Sequence, residues 1–250
     1  MTWAGKRQLF ILGAIAIVSL IILFPIAKPV IAPAPTCSDG NQNQGELGVD
    51  CSGPCERICL SEPLPIKVLW VRPFKVAEGV YSAVAYISNP NPSFMVKQAP
   101  YILKLYNERN ILISERGGYV DIPPKDIIPV FEGGIQTGNE NVKQAFFDFT
   151  EDLKWFRGAE VSKKVSVGFF VLENTNTPRV LVPIKNETLD VLRNIPIVAV
   201  VFDEKDNALA ASETLIERLE KGQAAEVIFT WSLPFAEKVG PVRIYPRIID

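Results

Sequence analysis

All four cysteines of this chain, Cys37, Cys51, Cys55 and Cys59, fall in one stretch, CSDGNQNQGELGVDCSGPCERIC. Thiols clustered in this way suggest a zinc site, a redox centre or disulfide staples. A structural zinc site takes four ligands in paired short hooks. Here Cys51, Cys55 and Cys59 are evenly spaced, Cys37 stands apart, and the chain has no histidine to complete a set. Redox and iron–sulfur motifs need other spacings, such as C-x-x-C. Disulfides remain as the expectation. A module of about 25 residues cannot bury enough apolar surface to fold alone, and each bridge contributes ~2–4 kcal/mol. Four cysteines allow three pairings, and the spacing does not choose among them.

Between Cys37 and Cys51 lies a second pattern. Asp39, Asn41, Asn43 and Asp50 occupy positions 1, 3, 5 and 12 of a calcium loop counted from Asp39, with Glu46 close by. Hard oxygens at alternate positions wrap a single cation, so calcium is the one cofactor the sequence suggests. Position 6, where a sharp turn favours glycine, is Gln44, and Gly45 comes one place late. The competing reading is a turn-rich loop whose Asp and Asn side chains cap their own backbone.

Catalytic chemistry has little else to draw on. The absence of histidine removes the commonest general base and any Ser-His-Asp triad. Glu151 and Asp152 sit in the turn-like TEDLKW and read as solvated surface. EGGIQTG lacks the lysine and helix start of a phosphate loop and reads as an inter-strand connection. The net charge is −2 with both signs scattered, so no basic footprint for nucleic acid is present. Trp155 and Phe156 in LKWFRG and Trp231 in TWSLPF are either a contact patch or core residues.

The elements that hold these residues begin with an apolar run. From Leu9 to Ala27 no residue is charged and Ser19 is the only polar one. As a helix it spans roughly the 30 Å core of a bilayer. Lys6 and Arg7 precede it, so the positive-inside rule predicts a single-pass anchor in the cytoplasmic membrane, with residues 1–8 inside and the rest outside. Cleavage as a signal peptide is the alternative. Residues 28–36 form a proline-rich linker and 37–60 the cysteine module, lying in an oxidising compartment.

Beyond Ile66 the pattern is all strand and turn. IKVLWV, VYSAVAYI, YILKLY, ILIS, IIPVF and QAFFDF have strand length and composition. NPNPS, NERN, RGG, IPPKD and GGIQTGNEN lie between them as turn-prone segments. The scheme then repeats. Ala99 to Glu115 aligns without gaps on Ile195 to Ala211, pairing Asn107 with Asp203 and Asn110 with Asp206. Upstream, Val68 to Asn89 matches Val165 to Asn186. Two tandem sandwiches, 64–160 and 161–250, follow. AASETLIERLEKGQAAEV has helix-like apolar spacing, but its counterpart GYVDIPPKDIIPV holds consecutive prolines, so strand, turn, strand is predicted in both.

The pattern strand–Asn–loop–strand–aromatic–Asp/Asn–x–x–Asn–strand, closing on GQAAEVIFTW, resembles small immunoglobulin-like domains of the FxLYD and LEA14 type. This implies seven-stranded antiparallel sandwiches and no catalytic activity. The cysteine module resembles a bacterial extracytoplasmic motif, C-x-DG-x-QNQGE-x-GVDCGGPC-x-x-C. It matches at Asp39, Gly40, Asn43 to Glu46, Gly48 to Cys51, Gly53 to Cys55 and Cys59, and departs at Ser52, where the motif has glycine. That resemblance implies an exported, envelope-associated stalk. The sequence therefore predicts a mainly β, non-enzymatic binding or scaffold protein of the cell envelope. Its partners would be the bilayer through residues 9–27 and an envelope protein or surface polymer. The alternative is an envelope enzyme, or its accessory subunit, with a carboxylate-based site.

Overall fold

The computed structural model describes residues 36–59, 63–158 and 164–248, with scattered positions between 3 and 21. It divides into two compact units, Met1–Cys59 and Leu60–Asp250.

The expected membrane anchor is corrected here. Among the described residues no helix is long and apolar enough to cross a membrane, which takes about 20 apolar residues in a helix. Leu12, Gly13, Ile15, Ile17 to Ser19 and Ile21 are helical. The other positions of the 9–27 run, Leu9 and Ala27 among them, lie outside the described residues, as do most of 1–8 and of the 28–36 linker. The single-pass topology and membrane localisation built on that anchor are set aside with it.

Residues 60–250 are mainly antiparallel β. The first seven strands are β1 (Lys67–Ala77), β2 (Val80–Ser88), β3 (Phe94–Tyr106), β4 (Leu112–Ile122), β5 (Ile127–Gln136), β6 (Gln144–Phe149) and β7 (Trp155–Arg157). They form one sheet in the order β1-β2-β5 and another in the order β4-β3-β6, with β7 also on β3. The next seven are β8 (Val165–Val167), β9 (Val171–Glu173), β10 (Arg179–Asn186), β11 (Leu192–Asp203), β12 (Ala208–Leu219), β13 (Ala224–Thr230) and β14 (Val239–Pro246). Their sheets run β13-β10-β8, with β9 on β10, and β12-β11-β14. The connectivity of the second set repeats that of the first. The predicted strand–turn–strand is found in both copies, β4–β5 and β12–β13.

Each pair of sheets encloses a core of alternate residues. Tyr81 and Ala83 of β2 meet Leu103 and Leu105 of β3 in the first. Val180, Val182 and Ile184 of β10 meet Ile195, Ile197, Ala199 and Val201 of β11 in the second. A further apolar cluster joins the two pairs. Val84 of β2, with Trp70, Phe74 and Phe131, packs on Val198, Val200 and Phe202 of β11, with Tyr245. The outer face of β1-β2-β5 is thus covered by the outer face of β12-β11-β14, giving four stacked sheets. Strands β2 and β11 are consequently buried on both faces, which is why VYSAVAYI and IVAVVF run apolar almost without alternation.

Two glycine pairs depart from their expected role as turns. Gly117 and Gly118 lie inside β4, and Gly133 and Gly134 inside β5. A Cβ on Gly118 would stand 2.5 Å from the Tyr101 hydroxyl, so this glycine makes room for a ring lying across the strand. Gly134 has φ 63° beside the register shift that pairs Tyr81 with Ile135 and Ala83 with Glu132. It therefore serves a β-bulge, and the inter-strand connection expected of EGGIQTG begins only after Gln136.

Candidate functional site

In the cysteine module the sulfurs pair Cys37 with Cys55 and Cys51 with Cys59, with Cα separations of 5.7 and 5.2 Å. No free cysteine remains, so no thiolate is left for metal or redox work. The interlaced bridges leave little room. A Cβ on Gly48 would lie 2.6 Å from Cys59 Sγ and 3.0 Å from Cys51 Sγ, and one on Gly53 would lie 2.3 Å from the Gly45 carbonyl oxygen. Ser52, at the position where the motif has glycine, adopts φ 59°, a left-handed backbone that glycine takes freely. Its side chain is wholly buried, and its Oγ accepts the Cys59 N–H at 3.3 Å. Ile58, 1% exposed, supplies the module's aliphatic plug.

The proposed calcium ligands are brought together; the Asp39 and Asp50 carboxylates face the loop's own donors, while Asn43 Oδ1 is buried with no hydrogen-bond partner among the described residues. Asp50 Oδ1 and Oδ2 accept the backbone N–H groups of Asp39 and Gly40, both at 2.9 Å. Asp39 accepts from the Asn43 side-chain amide at 3.0 Å and from the N–H groups of Thr36 and Asn41 at 3.1 and 2.9 Å. These donors, the Asn43 amide first, hold the Asp39 carboxyl below the usual carboxylate range. Asn41 turns its side-chain amide onto the Asp39 carbonyl. Glu46 is buried, and its Oε2 accepts from the N–H groups of Asn43 and Asp50 at 3.2 Å. The acidic residues thus nucleate the loop by capping backbone donors.

The β unit shows the same economy at positions related by the repeat. Asn89 and Asn186 are buried at 1% and 0% exposure. The Asn89 side-chain amide donates to the Phe94 and Pro123 carbonyls at 2.6 and 2.8 Å. That of Asn186 reaches the carbonyls of Asp190, Leu219 and Glu220 at 2.7, 3.1 and 3.1 Å. Each therefore clasps the loop that follows it to the turn before β5 or β13. At the β3–β4 turn Asn107 Oδ1 accepts from the N–H groups of Arg109 and Ile111, both at 3.0 Å. At the β11–β12 turn Asp203 Oδ1 accepts from Lys205 and Asn207, both at 2.7 Å. Asn110 and Asp206 close these turns with φ 57° and 61°.

The aromatics weighed as a contact patch are dispersed. Trp155 is buried on β7, and Trp231 packs against the core of the second sandwich, edge to face with Phe235 at 5.3 Å. Phe156 is half-buried between them in sequence terms only, on β7. Glu151 and Asp152 are exposed, as solvated surface should be.

Sequence reading missed the polar rim of the contact between sandwiches. Arg72 of β1 donates to the Ala208 carbonyl at 3.1 Å and to Asn207 Oδ1 at 3.3 Å. The Tyr86 and Tyr245 hydroxyls meet across the same contact, and the Arg243 guanidinium lies 4.6 Å from the Phe202 ring centre. Tyr101 donates to Glu132 Oε1 at 2.6 Å, and Arg247 pairs with Glu213 at 3.6 Å. Burial pushes the Glu213 carboxyl above its usual range; the Arg247 guanidinium opposes this and Glu132 adds to it. These residues come from different strands, so no local spacing marks them. Among the described residues, one surface depression is lined by Ser93, Phe94, Arg157 and Gly158.

No protein-family model matches the chain, and no curated protein does. Among solved structures, a β-glucuronidase of glycoside hydrolase family 2 aligns with TM-score 0.25 and 12% identity over 69% of this chain and 24% of its own. A Bacteroides uniformis β-glucuronidase aligns with TM-score 0.21 and 9% identity over 64% and 22%. The tandem CBM22 domains of Paenibacillus barcinonensis Xyn10C align with TM-score 0.16 and 7% identity over 77% and 88%. The chain thus spans about a quarter of each glucuronidase. Likenesses this slight carry no argument for this chain.

Proposed function

We propose that this protein is a non-enzymatic binding or scaffold protein working in an oxidising compartment, where it holds a protein or polymer of the cell envelope. One observation supports this reading above the others. The buried polar side chains described above, Glu46, Asn89, Asn107, Asn186 and Asp203, are bonded to the backbone of their own loops and turns. A catalytic site instead directs perturbed polar groups into a cleft. The two bridges favour an oxidising location, since such bonds persist poorly against cytosolic thiols. The resemblance of the module to an exported cysteine-rich motif, and of the sandwiches to FxLYD and LEA14-type domains, points the same way. In this reading the module is a stapled spacer and the stacked sheets are the binding body.

The test is crosslinking of the intact protein in its native envelope, followed by purification and identification of what is attached. A reproducible envelope protein or polymer is the expected result. Recovery of the chain alone, together with turnover of a small substrate, would establish the carboxylate-enzyme alternative instead. The Asp39–Asp50 loop is read as self-capping, so millimolar calcium should leave the thermal unfolding of the oxidised protein unchanged. A calcium-dependent rise would show the loop to be a cation site.

A further inference from the structure

The contact inside the β unit joins two unlike faces. The first sandwich contributes β1-β2-β5 and the second contributes β12-β11-β14. By the repeat, β1-β2-β5 corresponds to the β10 sheet and β12-β11-β14 to β4-β3-β6. Each end of the stack therefore leaves open the counterpart of a face that is covered in the middle. A contact between unlike faces can be repeated from copy to copy, whereas a symmetric one closes on itself.

We propose that the protein associates with a second copy of itself, head to tail, by seating the outer face of β9-β10-β13 on the outer face of β4-β3-β6 of the next copy. The side chains at matching positions support this. In the covered contact Val84 pairs in register with Phe131, and both are in the apolar cluster. Their counterparts are Leu181 and Ile228, also paired in register, with Val171 on the other side of Leu181. Val171 and Ile228 are 60% and 50% exposed, and nearby Phe169 is 99% exposed. Opposite them, the covered Val198 and Phe202 correspond to Ile102 and Tyr106. Arg243, which lies against Phe202, corresponds to Phe146, which meets Tyr106 edge to face at 5.4 Å. A row of exposed Val171 and Ile228 flanking half-buried Leu181 thus faces exposed Phe146 and half-buried Tyr106, at positions the internal contact covers.

Three positions carry charge instead. Val200 and Ala211 of the covered face are matched by Lys104 and Glu115, cross-strand neighbours on β3 and β4, and Tyr245 is matched by the exposed Asp148. These charges must be desolvated on association, so the contact between copies is weaker than the internal one and depends on concentration.

Lysine-directed crosslinking of the full chain, with equal parts of isotopically labelled and unlabelled protein, tests the proposal. Lys104 lies on one face and Lys185, on the outward side of β10, lies on the other. Crosslinks from Lys104 to Lys185 should join labelled to unlabelled chains and rise in yield with concentration. Ile228→Glu and Phe146→Glu should each lower that yield by about tenfold. Mixing the two variants should restore it, because each keeps the face the other has lost. Absence of mixed-isotope crosslinks at these lysines would overturn the proposal. So would a predominance of Lys185-to-Lys185 links, or yields indifferent to both variants, since either would mean that other surfaces bring the copies together.

Discussion

Asn186 sits with no exposed surface at the end of β10, and its amide ties the Asp190, Leu219 and Glu220 carbonyls together. Thr188 Oγ1 also donates to the first and the Gln223 N–H to the last, so alanine at this position opens the clasp without leaving all three carbonyls bare. Asn186→Ala should therefore lower stability by about 2–4 kcal/mol in denaturant unfolding, and Asn89→Ala by somewhat less, having one carbonyl fewer. At the related turn, Asp203 adds a charge that Asn107 lacks. The Asn207 side-chain amide, with the N–H groups of Asn207 and Lys205, holds its carboxyl below the ordinary value of 3.8. Its contribution is thus complete at neutral pH and is lost as pH falls from that value through the lower, folded one. Asp203→Asn removes that titration. The stability gap between wild type and variant should narrow below about pH 4 and stay constant above pH 6, in unfolding curves recorded across that range. The pairing of Asn89 with Asn186 and of Asn107 with Asp203 was legible in the aligned repeat. Their role as clasps was not, because the carbonyls they bind lie up to 34 residues away in sequence.

At the scale of elements, composition predicted strands well and glycines poorly. Alternation and β-branching placed most strands, and two prolines in GYVDIPPKDIIPV were enough to turn a helix-like copy into strand, turn, strand. Glycine pairs read as turns because turns are where glycine is commonest. Gly118 and Gly134 are instead responses to a ring and to a bulge, which exist only once neighbouring strands are paired. Gly48 in the cysteine module follows the same logic, since two sulfurs occupy the space its side chain would fill. Gly48→Ala should block closure of the Cys51–Cys59 bridge. Thiol titration of the native protein should then detect free sulfhydryls where the wild type has none. The expected membrane anchor fails at this scale too: hydropathy counts apolar residues in a row, while a span also requires one long helix, and none is found among the described residues.

Across the whole molecule, the feature the sequence hid is the central double layer. VYSAVAYI has the length and composition of a strand and IVAVVF lies in the aligned repeat, but a continuous apolar run does not say which second surface covers it. The stack makes the two sandwiches a single body, with Trp70 stacked on Tyr86 at 4.7 Å and Phe202 edge-on to both at 6.4 Å. The account rests on that coupling, since the proposed scaffold role depends on holding the outer faces in fixed relation. Hydrogen exchange of the native full-length protein, with and without Phe202→Ala, tests it most directly. Phe202 is 1% exposed, so its truncation should cost about 3–5 kcal/mol. The account predicts that the slowest amides of β2 and β11 share one opening free energy in the wild type and lose protection together in the variant. Loss of protection in β11 alone, with β2 unchanged, would contradict it.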